Sequence, residues 1–130
     1  HGNDGNGTNS GKAQMFQWDG VDWQQMGTDI YGEAAGDLFG RSVSISTDGM
    51  RVVIGAYGND DNGVDAGNAR VYDWNGNTWI QVGVDIDGGA AGDESGFSVS
   101  ISADGSHIAI GAYKNDGVNG NVSGHVRVYK

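Results

Sequence analysis

Residues 27–60 read GTDIYGEAAGDLFGRSVSISTDGMRVVIGAYGND, and residues 83–116 read GVDIDGGAAGDESGFSVSISADGSHIAIGAYKND. The two stretches align without a gap at a shift of 56, and 22 of the 34 pairs are identical. Working outward, GNARVY (67–72) matches GHVRVY (124–129) after a loop one residue longer. Upstream, GKAQMFQWDGVDWQQMG (11–27) matches GNARVYDWNGNTWIQVG (67–83) at 7 of 17 positions, both Trp pairs included. Self-similarity at a fixed period marks a repeat architecture. The chain therefore holds about two and a quarter copies of one unit. Residues 1–10 read as a disordered or extended tail. Residues 11–26 form a partial repeat, 27–82 a full repeat, and 83–130 a repeat without its last strand.

Each copy carries four short strand patterns. The first is SVSIS (42–46, 98–102), where Val43 and Ile45 alternate with serines at the period of two that a strand requires. The second, RVVIGA (51–56) or HIAIGA (107–112), is nearly all apolar, which predicts burial on both faces. The third is ARVYDW (69–74), matched by VRVYK (126–130) and AQMFQW (13–18). The fourth is TWIQVG (78–83), matched by DWQQMG (22–27). Asp48-Gly49, Asp104-Gly105 and Asn75-Gly76 supply the tight turns between them. No helical period persists beyond about two turns, so no helix is expected. Four antiparallel strands recurring every 56 residues describe a blade of a β-propeller, in an all-β fold. A parallel β-roll is the rival for a Gly-, Asn- and Asp-rich chain, but its nine-residue glycine motif is absent.

Composition narrows the function. Seventeen acidic residues against seven basic ones give a net charge of −10, which argues against nucleic acid and anionic membrane partners. Without cysteine there is no disulfide, zinc–thiolate site or thiol nucleophile. No apolar run has the length of a membrane span. No Gly-x-Ser-x-Gly elbow or phosphate-binding glycine loop is present. Seventeen carboxylates with no convergent pair give a glycosidase no foothold, so no enzyme is expected.

Leu38-Phe39-Gly40, then SVSIS, Asp48-Gly49, Val53-Ile54-Gly55-Ala56 and Gly67-Asn68-Ala69-Arg70-Val71-Tyr72 together resemble the FG-GAP repeat. That repeat builds the integrin-α-type β-propeller and many microbial surface proteins. The resemblance spans about 120 of the 130 residues and implies an extracellular or cell-surface module. Two departures stand out. The second copy has Ser95-Gly96 in place of Phe-Gly, and the Asp-x-Asp-x-Asp-Gly loop of calcium-binding members shrinks to Ser46-Thr47-Asp48-Gly49 and Ser102-Ala103-Asp104-Gly105.

The candidate sites are few. Asn59, Asp60, Asp61, Asn62 and Asp65 could offer oxygen ligands to calcium, the one candidate cofactor, although such residues equally serve mobile turns. Asp37 and Asp93 recur within AAGD, where a carboxylate is expected to accept backbone N–H bonds. Glu33 and Glu94 occupy different repeat positions and read as solvated charge. The histidines do not recur by repeat, so they build no metal site. Trp18/Trp23 and Trp74/Trp79 bracket turns; cross-strand packing is the expected role, and glycan stacking by Trp23 and Trp79 the alternative. Asn6 and Asn121 head N-glycosylation tripeptides.

A lone blade cannot cover its own flanks. Two blades and a remainder predict self-association with like chains, closed into a ring or open as a filament, or a slice of a longer protein. The function expected is a non-catalytic adhesion module, with a glycan-binding propeller lectin as the alternative.

Overall fold

A computed structural model describes residues 10–34, 36–58, 67–87, 94–112 and 125–129, the last segment by its backbone apart from Tyr129. The described residues contain strands and turns and no helix. Grouped by strand pairing, which carries each unit a few residues past the repeat bounds 26 and 82, the first, partial unit takes in β1 (Lys12–Ala13), β2 (Phe16–Trp18), β3 (Trp23–Gln25) and β4 (Ile30–Tyr31). The second unit holds β5 (Ser42–Ile45), β6 (Arg51–Ala56), β7 (Asn68–Trp74), β8 (Trp79–Gln81) and β9 (Ile86–Asp87). β10 (Ser98–Ile101), β11 (Ile108–Ala112) and β12 (His125–Tyr129) belong to the third.

The second unit is the complete blade. Its sheet runs β5-β6-β7-β8, every neighbour antiparallel, and β9 returns to pair with the start of β7. The third unit repeats the inner part as β10-β11-β12. Register is copied as well: Val43 faces Ile54 as Val99 faces Ile110. Side chains of the turns hold these hairpins. Asp48 Oδ1 accepts the Met50 N–H at 2.9 Å and the Ser46 hydroxyl at 2.7 Å, and Asp104 does the same for Ser106 and Ser102. Asn75 Oδ1 takes the N–H groups of Asn77 and Thr78, and Asp19 those of Val21 and Asp22. Asx side chains thus fix each turn and leave the ladders to backbone.

Two strands are more broken than their sequence suggests. The 13–18 pattern divides into β1 and β2, although Met26 N–H still reaches the Met15 carbonyl at 2.8 Å between them. β7, its counterpart, is continuous because β6 pairs along its inner edge; among the described residues, nothing pairs with the inner edge of β1 and β2. The fourth pattern stops at Gln81, and the chain resumes pairing as β9.

The core consists of two layers, one at each contact between units. Ala13 and Met15 of the first unit pack with Val52, Ile54, Tyr72 and Trp79 of the second. On the other face, Val53, Ala69 and Val71 pack with Ile108 and Ile110 of the third, and Val99 and Ile101 press against them. β6 lies between the layers, which is why its apolar residues run consecutively. β11 shows the contrast: its burial alternates, with Ala109 and Gly111 half-exposed on the side away from the second unit.

The first unit is held by charge as well. Hydrogen bonds from Gln25, Lys12 and Gln14, with the Lys12 charge, hold the Asp29 carboxyl down to about 2 from its usual 3.8. A depressed carboxylate adds stability above its unfolded pKa and loses it as pH falls through the folded value. Asp29→Asn should therefore lower the urea midpoint at pH 7. The difference from the parent should close as pH falls from near 4 to about 2.

Candidate interaction surfaces

Where the second and third units meet, contacts of backbone and small side chains flank the apolar layer. β5 turns Ser42 and Ser44 toward β10, and β10 turns Val99 and Ile101 toward β5 and β6. The Ser42 hydroxyl donates to the Gly96 carbonyl at 2.8 Å, and the Ser44 hydroxyl accepts the Ile101 N–H at 3.2 Å. Thr47 N–H reaches the Ala103 carbonyl at 2.9 Å. Arg51, paired to Asp73, donates to the Gly105 carbonyl at 3.0 Å. The Gly96 carbonyl oxygen occupies the space a Cβ on Gly55 would need, so this strand position admits glycine alone.

The same surfaces recur uncovered at both flanks. Val43 and Ile45, the counterparts of Val99 and Ile101, are 54% and 48% exposed. They line an open groove of about 410 Å³ with Lys12, Met15, Phe16 and Val52. At the opposite flank Ser98 and Ser100 are exposed beside Ala109 and Gly111, in a hollow of about 170 Å³. A second groove, about 290 Å³, runs along Val82, Gly83, Val84 and Ile86 toward Ile108 and Tyr129.

The tryptophan pairs have separate fates. Each faces its partner directly across a hairpin, with ring centroids 5.4 Å apart for Trp18/Trp23 and 5.3 Å for Trp74/Trp79. Cross-strand packing is thus present in both. Trp79 is 8% exposed and donates its indole N–H to the Met26 carbonyl of the first unit at 2.8 Å. The rings of Trp74 and Trp79 close over Gly27, where a Cβ would sit 3.0 and 3.3 Å from them. Trp23, the counterpart of Trp79, is 62% exposed and Trp18 nearly as much. Of the two candidate glycan platforms, only Trp23 presents a ring to solvent.

Buried polar groups at the junctions are structural in their geometry. Asp37 is buried and accepts the Ala34 N–H at 3.0 Å, as its place before the first strand suggests. Glu33 is exposed, as expected of a surface charge, whereas Glu94 is not. Glu33 pairs with the buried Arg70, and Glu94 is itself buried, at the repeat position of Leu38. Both Leu38 and Glu94 hold positive φ, 55° and 54°; Glu94 is buried there and Leu38 half-buried. Arg70 sits over the Phe39 ring and between Glu33 and Asp85. Burial lowers its pKa, but the Tyr72 hydroxyl and the two carboxylates outweigh that, and the guanidinium stays charged.

Asn59, Asp60, Asp61, Asn62 and Asp65 lie outside the described residues, as do Asp93, Asn6, Asn121 and His1. Among the described residues, no three His, Cys, Asp or Glu side chains converge on a common point that could hold a metal. The junction contacts were not legible in the sequence one by one. Their signal was the recurrence of Ser42, Gly55 and Gly96 or their counterparts at a shift of 56.

The family model for the FG-GAP repeat matches residues 32–72 and again 86–129. No curated protein matches the chain. No helix among the described residues is long and apolar enough to cross a membrane.

Proposed function

Because the chain belongs to the FG-GAP repeat family, we propose that it is a non-catalytic adhesion-type module of the cell exterior that associates with like chains through its open blade flanks. The observation that carries this reading is the exposure of Val43 and Ile45, whose counterparts Val99 and Ile101 pack between blades in the same molecule. An apolar strand face left open in one copy and covered in the other has a built-in mode of contact. The acidic surface keeps such a module soluble and turns it away from polyanions. Sedimentation velocity from about 1 to 100 μM should show concentration-dependent association, since contacts of this kind have weak to moderate affinity. A single monomeric species throughout overturns the reading.

A glycan-binding role is the second reading, supported by the exposed Trp18/Trp23 pair. It predicts glycan-array signals that vanish in Trp23→Ala. Calcium at residues 59–65 belongs to the same proposal only as a ligand of the loop. A melting temperature unchanged by excess calcium or by chelator removes it.

A further inference from the structure

We infer that Asn75 is a site of self-modification: the turn between β7 and β8 promotes deamidation of its own asparagine, and the aspartate produced stays in the turn. Asn75 and Gly76 lie at the tip of that hairpin, and both are exposed. The site belongs to the complete blade and draws on nothing outside the hairpin.

Deamidation begins when a backbone nitrogen attacks the side-chain carbonyl carbon of the preceding asparagine, which puts negative charge on Oδ1. Asn75 Oδ1 already accepts two backbone N–H groups, from Asn77 at 2.9 Å and from Thr78 at 2.8 Å. Those are the donors and distances of an oxyanion hole, in place before the charge forms. To reach both donors the side chain curls forward over the Gly76 peptide, whose nitrogen is the attacking atom. Among the described residues nothing accepts a hydrogen bond from the Gly76 N–H, and a Cβ on Gly76 would meet nothing within 4 Å. The other described asparagines are less favoured. Asn77 precedes Thr78, whose N–H is already given to Asn75 and whose branched side chain crowds an attack. Asn68 is fully buried in β7, away from solvent base. The reaction balances with water as co-reactant. The Gly76 N–H gives its proton to hydroxide, and the nitrogen bonds to Asn75 Cγ. The Cγ–Nδ2 bond breaks, and Nδ2 leaves as ammonia with a proton from water. Water then opens the cyclic imide, at Cγ to give isoaspartate's counterpart in which the main chain is intact, aspartate, or at the backbone carbonyl to give isoaspartate.

The repeat already contains the product. At a shift of 56, Asn75-Gly76 corresponds to Asp19-Gly20. Asp19 Oδ1 accepts the N–H groups of Val21 at 2.8 Å and Asp22 at 2.7 Å, as Asn75 Oδ1 accepts those of Asn77 and Thr78. The Asp19 N–H meets the Asp22 carbonyl at 3.0 Å, and the Asn75 N–H meets that of Thr78 at 3.1 Å. The following glycines share a φ of 100° and 97°. The Asp22 and Val21 N–H groups hold the Asp19 carboxyl below its usual 3.8, so donors in this position stabilise negative charge on that oxygen. Aspartate at position 75 therefore keeps every bond of the turn. Isoaspartate does not. It routes the main chain through Cβ and Cγ, which lengthens a closed turn by one methylene. Trp74 and Trp79 then lose their direct pairing, and the Trp79 indole N–H its hold on the Met26 carbonyl. The two products thus differ in outcome: one is silent in the fold, and the other loosens the first unit from the second.

The test incubates the full-length protein at mildly alkaline pH and maps its peptides by mass. Asn75 should show the mass gain of OH for NH2 roughly tenfold faster or more than Asn77 or Asn68. Fragment ions must place the change, because Asn6-Gly7, Asn62-Gly63 and Asn119-Gly120 carry the same pair outside the described residues. Conversion at Asn75 should be at least as fast in the folded chain as in guanidinium chloride, because unfolding removes the two N–H donors. Asn75→Asp should leave the melting temperature unmoved, and the isoaspartyl fraction, separated by chromatography, should melt below the parent. Asn75 converting no faster than Asn77 overturns the site. Faster conversion in denaturant overturns the promoting role of the turn. A lowered melting temperature in Asn75→Asp overturns retention of the product.

Discussion

Gly55→Val should separate the blades. The new side chain enters the space held by the Gly96 carbonyl, with the Ser42 hydroxyl only 2.6 Å from its Cβ. The serine hydroxyl can turn away about χ1, but the carbonyl is backbone and cannot. The carbonyl belongs to the turn that starts the next blade, so relief requires β5 and β10 to move apart. That movement breaks the Ser42 and Ser44 hydrogen bonds and opens the layer of Val53, Val71, Val99 and Ile110. Overpacking with loss of a junction should cost about 4 kcal/mol. The melting temperature should fall by about 15 °C for a domain of this size. Gly111→Val is the matched control. At the same repeat position it meets only Ser98 of its own hairpin, and its cost should be about 1 kcal/mol. Equal losses in the two variants would show that the clash is local to the strand and not with the neighbouring blade.

Trp79→Ala should be comparably severe. Its ring joins the first unit to the second: it packs with Trp74, covers Gly27 and donates to the Met26 carbonyl. Truncation leaves a cavity and an unanswered carbonyl, at about 4 kcal/mol. The urea midpoint should drop by about 2 M. Trp23→Ala, at the same place one repeat earlier, should cost under about 1 kcal/mol in the dilute monomer. A loss for Trp23→Ala as large as for Trp79→Ala would mean that both hairpins are already docked.

That pair of tryptophans shows how far the sequence could be read. Repeat spacing and alternation were enough for strands, turns and stacked blades, because the pleat period and the turn residues are local properties. The two hairpins, however, carry the same residue types. Whether a given Trp is buried depends on the unit lying against it, which is a long-range fact. Val43 and Ile45 behave alike: their alternation with serines is plain in SVSIS, yet which set faces a neighbour follows from stacking order. Glu94 was misread for the same reason. It lacks a counterpart of its own type in the other copy, but it faces a junction where burial is set by the adjoining unit. Arg70 gave no warning either, since an arginine in a strand pattern looks solvent-facing until its Phe39 platform arrives from a distant turn.

The polar part of the junction between the second and third units is written in main-chain carbonyls, serine hydroxyls and the missing side chain of Gly55, beside an apolar layer of interchangeable aliphatic residues. Such a seam asks little of the identity of the two units it joins. A whole 56-residue cassette could be duplicated, deleted or exchanged with a foreign homologous cassette, and the splice would still find its bonds. Proteins made this way can change length by recombination without having to reinvent an interface.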